Sequence, residues 1–250
     1  MTDTAPSDSA TPPEAPFEPK APAVLAVDVG GSHVKLLVNG ARERRRFVSG
    51  KKFTAAQMVA GVLEHALDLE YTVVSVGIPA PVVDGRVAQE PMNLGKGWVG
   101  FDYEAAFGKP TKVVNDAAMQ ALGGYTGGRM LFLGLGTGLG STMVVDGILE
   151  PMELAHLPFR KATFEDYVGQ RGRERLGEKR WRKAVLETIE RLAAALEPEY
   201  VVLGGGNAKR VKDVPDNVYI GSNEDAFTGG FRLWDEPAVK TRRRSTRMAG

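Results

Sequence analysis

Three glycine-rich turns, each fed by a short apolar run, constrain this chain most. Residues 23–29 lead into Gly30-Gly31-Ser32, residues 130–135 into Gly136-Thr137-Gly138-Leu139-Gly140, and residues 200–203 into Gly204-Gly205-Gly206. A brief apolar run bounded by turn residues reads as a buried strand. Glycine at its end lets a ligand approach bare main chain. Further strands are expected at 34–38, 72–78, 111–115 and 141–145, and Asn39-Gly40 signals a hairpin with a return strand at 44–48. Helical spacing appears twice. Residues 54–70 carry Met58, Val62, Leu63, Ala66 and Leu69, and residues 178–197 place Trp181, Val185, Ile189, Leu192 and Leu196 on one face. Strands interleaved with helices predict an α/β fold. No short-period repeat is visible.

Composition removes several classes of function. The chain has 250 residues, 43% hydrophobic and 25% charged, which suits a soluble globular protein able to bury a large core. Lys+Arg total 32 against 31 for Asp+Glu, a net charge of +1, so nothing in the overall balance calls for nucleic acid or an anionic membrane as partner. The absence of cysteine excludes disulfides, Cys-ligated zinc, Fe–S clusters and thiol nucleophiles. It fits a reducing compartment, and a cytoplasmic location is expected. No apolar run approaches transmembrane length. Residues 1–22 are rich in Pro, Ala and acids and are expected to be a disordered tail, with no secretory signal pattern. Residues 236–250 form a basic tail. The expected lobes are 23–115 and 116–235.

Five stretches carry candidate chemistry. Asp28 closes the first strand ahead of Gly30, Gly31, Ser32 and Lys35. The glycine N–H groups and the Ser32 hydroxyl can meet a phosphate, and Asp28 can hold Mg²⁺ through water. A plain hairpin is the alternative. The stretch 133–141 offers Gly136, Thr137, Gly138 and Gly140 as a second phosphate loop, because alternate glycines make a poor strand interior. Its spacing fails the dinucleotide pattern G-x-G-x-x-G, and a strand follows where that site needs a helix, which argues against an oxidoreductase. Asn115-Asp116 ends a strand where a helix begins, so Asp116 is either a ligand-facing acid or the helix N-cap. Glu153 and His156 are three apart and can face one ligand, or His156 can belong to a satisfied network; a metal site there is a poor fit. Gly204, Gly205, Gly206 and Asn207 can accept a flat or phosphorylated ligand, or form an ordinary turn capped by Asn207.

In order along the chain these stretches resemble the ROK family of sugar kinases, within the actin-like, sugar-kinase and Hsp70 ATPase group, and most closely its polyphosphate glucokinase branch. DVGGS at 28–32 resembles the first phosphate motif and LGLGTGLGS at 133–141 the second. NLGKGWVGFD at 93–102, VNDAAMQALG at 114–123, MELAHLPF at 152–159, the stretch 163–169 and the late GGGN are also similar to the family's motifs. Three departures stand out. The Cys-rich zinc segment of many relatives is missing, Ala155 stands where Gly is usual, and Ala80-Pro81 stands where a Gly-Val-like turn is usual.

The resemblance implies a two-lobed actin-like (ribonuclease H-like) fold and phosphoryl transfer to the 6-hydroxyl of glucose or a related hexose. It implies Asp116 as general base, with Asn93, Asn115, Glu153, His156 and Glu165 on the sugar. It implies the three glycine turns on the donor, and Mg²⁺ beside Asp28. The donor is polyphosphate, ATP or both, and Arg160, Lys161, Arg171, Arg173, Lys209 and Arg210 are candidate cations for the former. A homodimer is expected, with no nucleic acid and no membrane as partner. The 22 residues ahead of the first strand are Pro-rich and short for a helix-turn-helix. A sugar-binding regulator without catalysis is the rival reading.

Overall fold

The computed structural model describes residues 21–222 and 224–235, so residues 1–20 of the expected tail 1–22, and the whole expected tail 236–250, lie outside the described residues. The first strand, β1 (Val24–Val29), turns through residues 30–32 into β2 (His33–Val38), and β3 (Arg45–Val48) returns along it. Helix α1 (Ala55–His65) follows. Thr54 caps it in a box with Gln57, so the helix begins at the hydroxyl residue that satisfies its free N–H groups. Next come β4 (Val73–Ile78), the short ribbon β5 (Val82–Val83) and β6 (Arg86–Val87), α2 (Tyr103–Phe107), β7 (Thr111–Asn115) and α3 (Asp116–Gly124).

The second half repeats the plan. β8 (Arg129–Leu135), β9 (Leu139–Val145) and β10 (Ile148–Met152) form a meander. The ribbon β11 (Pro158–Phe159) and β12 (Ala162–Thr163) precedes α4 (Phe164–Val168), α5 (Gln170–Leu176) and α6 (Glu178–Leu196). β13 (Tyr200–Gly204), a single 3₁₀ turn, β14 (Val218–Ile220) and α7 (Asp225–Arg232) complete it.

Both halves build a five-stranded mixed sheet of one topology. The orders are β3-β2-β1-β4-β7 and β10-β9-β8-β13-β14, in each case three antiparallel strands followed by two parallel ones. Each sheet has its own core on its outer face. Leu25, Val27, Val74 and Val76 pack under α1 and α2 in the first; Leu131, Leu133, Val201 and Leu203 pack under α4 and α6 in the second, around Trp181.

On the inner faces, α3 and α7 cross between the sheets. Ala117, Ala118, Ala121 and Leu122 of α3 lie on Met130, Phe132, Val144 and Val202 of the second sheet. The end of α7 lies on the first sheet: Gly230 stands against Ala26, and Ser75 Oγ donates to Gly230 O at 2.6 Å. Trp234 Nε1 donates to Ser75 Oγ, and the Lys112 ammonium sits 4.4 Å above the Trp234 ring. The helices approach closely because Gly123 and Gly229 lack side chains; a Cβ at either would run into backbone of the opposing helix.

One expectation needs correction. The second glycine stretch is not a turn over the whole of residues 136–140. The β8–β9 ladder runs on through a direct Gly134–Gly140 pair to Leu135–Leu139, leaving only residues 136–138 as the turn. Glycine serves the ladder because α3 presses on it: a Cβ at Gly140 would stand 2.8 Å from Ala117 Cβ. Among the described residues no helix is long and apolar enough to cross a membrane.

Candidate active site

The carboxyl ends of β1, β4 and β7 in one sheet and of β8 and β13 in the other carry the predicted residues, the position where open α/β sheets bind ligands. At the end of β7, Asn115 and not Asp116 caps α3. Asn115 Oδ1 accepts from Ala118 N at 3.1 Å, and its amide donates to Ala80 O at 3.1 Å. Asp116 is the first helical residue, and among the described residues its side chain accepts only from the adjacent Ala117 N at 2.8 Å. Burial pushes its carboxyl up to about 7; the nearby Asp28 adds to the rise, the Ala117 N–H opposes it, and Glu153 contributes a smaller push in the same direction. Asp28, from the first half, and Glu153, from the second, therefore share one electrostatic site with Asp116.

Asp28 is partly buried and accepts from Lys35 Nζ at 2.9 Å, its cross-strand partner in the β1–β2 register. The turn beyond it is folded on itself. Gly30 N donates to His33 O at 2.9 Å, Ser49 Oγ donates to Gly30 O at 2.6 Å, and Ser49 N donates to Ser32 O at 3.0 Å. The Gly31 and Ser32 N–H groups donate to no protein acceptor among the described residues. Asn93 is exposed beside this turn, its Cβ 3.6 Å from where a Gly31 side chain would begin. The segment 93–98 is held from behind: Gly95 N and Trp98 Nε1 both donate to Phe53 O, and Glu90 accepts from Gly97 N and Trp98 N.

The second turn follows the same rule with different partners. Leu135 O accepts from Asn207 N at 2.9 Å, and Gly136 O and Thr137 O both accept from Gln170 N at 3.1 and 3.2 Å. The Thr137 and Gly138 N–H groups have no protein acceptor among the described residues. In the two turns the Gly30, Ser32, Gly136 and Thr137 carbonyl oxygens are tied to the scaffold and N–H groups are left for an anion.

Glu153, His156 and Glu165 gather beside this second turn. Burial raises the Glu153 carboxyl, the His156 imidazole draws it back down, and Glu165 raises it again. Glu165 leans on the turn so closely that a side chain at Gly138 would collide with its carboxylate. Gly204 and Gly205 continue β13 under the turn. Gly205 has φ +79°, and a Cβ there would meet Leu135 O at 2.6 Å, so only glycine lets the two strand ends meet. Gly206 is exposed with open space about it. Asn207 is not the side-chain cap of the following 3₁₀ turn. It is buried, and its amide donates to Gly136 O at 3.3 Å and Gln170 Oε1 at 3.1 Å.

Ser49 and Gln170 are the residues that sequence reasoning missed. Each lies outside the glycine stretch it braces, and no local pattern marks it. Of the candidate cations, Arg160 pairs with Glu187, and Arg173 and Arg210 pair with Glu178. Lys161, Arg171 and Lys209 are exposed and make no ion pair among the described residues. Among the described residues no group of three or more His, Asp or Glu is arranged to hold a metal. Mg²⁺ does not require one, since it keeps waters and takes one or two carboxylates plus substrate phosphates. The Asp28 carboxylate, a hard oxygen donor two residues before the turn with free N–H groups, fits that mode.

No family model matches the sequence, and no curated protein matches it. Solved structures do. An inorganic polyphosphate/ATP-glucomannokinase from Arthrobacter sp. strain KM superposes with a TM-score of 0.74 at 25% identity, covering 85% of this chain and 97% of that one. A ROK family glucokinase from Streptomyces griseus, solved with glucose and AMPPNP, gives 0.69 at 14% identity over 85% and 99%. A ROK family transcriptional regulator, a homologue of the E. coli Mlc protein, gives 0.64 at 14% identity over 84% and 76%. The structural neighbours of this chain are thus ROK family sugar kinases, with a regulator of the same fold among them, and its fold is the two-lobed actin-like one.

Proposed function

We propose that this chain is a sugar kinase that transfers a phosphoryl group from ATP, polyphosphate or both to the 6-hydroxyl of glucose or a related hexose. The observation that carries the reading is Asp116: its capping duty is taken by Asn115, it has a carboxyl held near 7, and it lies at the junction of the two N–H-bearing turns. A base with a pKa near the operating pH is suited to removing a hydroxyl proton. As the sugar oxygen attacks the terminal phosphorus, its proton passes to an Asp116 carboxylate oxygen and the phosphorus–oxygen bond to the rest of the donor breaks.

Asn93, Asn115, Glu153, His156 and Glu165 would orient the other hydroxyls, although the Asn115 side chain already holds Ala118 N and Ala80 O. The Gly31, Ser32, Thr137 and Gly138 N–H groups would hold the donor oxyanions, and Mg²⁺ beside Asp28 would spread their charge when bound. Two neighbours support the two donors: one is a polyphosphate/ATP-glucomannokinase, and the other is a glucokinase solved with glucose and AMPPNP. For a polyphosphate chain, the unpaired Lys161, Arg171 and Lys209 are the better remaining contacts.

Asp116→Asn tests the reading. Turnover should fall by about 10²–10⁴, while glucose still binds by calorimetry. Near-wild-type turnover would remove Asp116 from the chemistry. Complete absence of turnover in the unaltered protein, with glucose bound, would favour a sugar-binding regulator. Donor preference is read from a panel of hexoses against ATP and polyphosphate. Activity with polyphosphate should weaken as salt rises, because exposed cations are screened.

A further inference from the structure

We infer that Gln170, a residue outside every glycine stretch, is a positioning residue for the phosphoryl donor. The inference rests on the kinase reading of the second turn. A peptide group is planar and trans, so its C=O and N–H point in opposite directions. Anchoring Gly136 O therefore fixes the direction of the Thr137 N–H, and anchoring Thr137 O fixes that of the Gly138 N–H. One atom, Gln170 N, anchors both, at 3.1 and 3.2 Å.

The Gln170 side chain ties this anchor to the rest of the lobe. Its Oε1 accepts from Asn207 Nδ2 at 3.1 Å and from Arg173 Nη2 at 3.2 Å, and its Nε2 donates to Glu174. Asn207 in turn holds Gly136 O and Leu135 O, and Arg173 holds Glu178 at the start of α6. Gln170 thus joins the second turn, the late glycine turn and the α5–α6 corner, and reinforces the bonds that Asn207 makes directly to Leu135 O and Gly136 O. It touches no reacting atom, and it acts only by aiming main-chain N–H groups. An oxyanion donor site depends on such aim being fixed in advance.

Two substitutions separate the backbone anchor from the side-chain tie. Gln170→Ala removes the side chain and leaves the N–H. Gln170→Pro also removes the N–H, and its ring Cδ pushes the two carbonyls away. The position accepts proline otherwise, because Gln170 is the first residue of α5 and Gly169 before it is extended at φ −71°, ψ 176°. Binding of AMPPNP, tripolyphosphate and glucose to the full chain is measured by calorimetry. AMPPNP and tripolyphosphate should bind about tenfold or more weakly to the proline variant and about threefold more weakly to the alanine variant, with glucose affinity within twofold of wild type for both. Unchanged donor affinity in the proline variant overturns the inference, as does a matching loss of glucose affinity, which would mean general loosening of the lobe. Should the proline variant fail to fold, the same donor-against-glucose split in the alanine variant decides. A wild type that binds donor and glucose but never turns over defeats the kinase reading, and the variants still decide the role of Gln170. A wild type that turns over, with variants of unchanged donor affinity, defeats the role of Gln170 alone. A wild type that binds neither AMPPNP nor tripolyphosphate defeats both.

Discussion

Asp116 carries a charge that the folded chain disfavours, and this has a thermodynamic consequence besides its chemistry. A carboxyl raised to about 7 binds its proton more tightly in the folded state than in the unfolded one. Its contribution to stability is present when the group is protonated in both states, at pH below about 4, and is lost as pH rises through 7. Asp116→Asn keeps the Oδ1 that accepts from Ala117 N and removes the ionisation. The variant should therefore melt higher than wild type at pH 8, and the gain should shrink as pH falls from 7 towards 4. Thermal melts of both proteins across that range check it. A gain that is constant with pH, or absent at pH 8, would mean the carboxyl titrates normally. The same group predicts the rate profile: with Asp116 as base, kcat should fall below pH 7 as it takes a proton. Sequence alone singles out Asn115-Asp116 but leaves open which residue caps the helix. Either side chain can accept an N3 amide, and only the backbone direction at the end of β7 decides between them.

The elements were legible where a run of apolar residues was long enough to have a period. β1, β4 and β13 are short buried strands in a hydrophobic run, β7 is half-buried around Val113, and α6 shows its Trp181–Leu192 face plainly. The two-residue strands of the ribbons and the three-residue β14 have too few positions for any pattern. Expected helix 54–70 is α1 at Ala55–His65: Ala66 N bonds to Leu63 O, and the helix stops there. Nor does the glycine content of α3 and α7 announce its purpose, since glycine in a helix ordinarily costs about 1 kcal/mol relative to alanine. Here the geometry outweighs propensity. Gly229→Ala would drive a Cβ into the Met119 carbonyl and Gly123→Ala into that of Asp225. A backbone contact cannot be relieved by a rotamer change, so the helices must part. Each substitution should destabilise the protein by about 1–3 kcal/mol despite the better helix former, read as a lower urea midpoint. An unchanged or raised midpoint would show that the crossing is looser than the structure has it.

At the scale of the whole molecule, the two halves share one strand order with no matching residue pattern, so the duplication is invisible as a sequence repeat. It needs only the same succession of hairpins and crossovers, which many side-chain sets satisfy. What joins the halves is an exchange. α3 follows the last strand of the first sheet and lies on the second, whereas α7 follows the last strand of the second sheet and its end lies on the first. Without α7, the inner face of β1 and β4 at Ala26 and Ser75 is bare, and Ser75 loses both Gly230 O and Trp234 Nε1. Without α3, Phe132, Val144 and Val202 are uncovered. Neither half covers the inner face of its sheet with the helix that follows its own strands, so the lobes should not melt separately. Calorimetry should show one endotherm whose measured enthalpy matches the van't Hoff value. Saturating glucose should move that single peak upward as a whole, because a ligand bound between coupled lobes stabilises both. Two resolved transitions, or a shift of only part of the peak on adding glucose, would mean that the crossing helices belong to one lobe and that the exchange does not couple them.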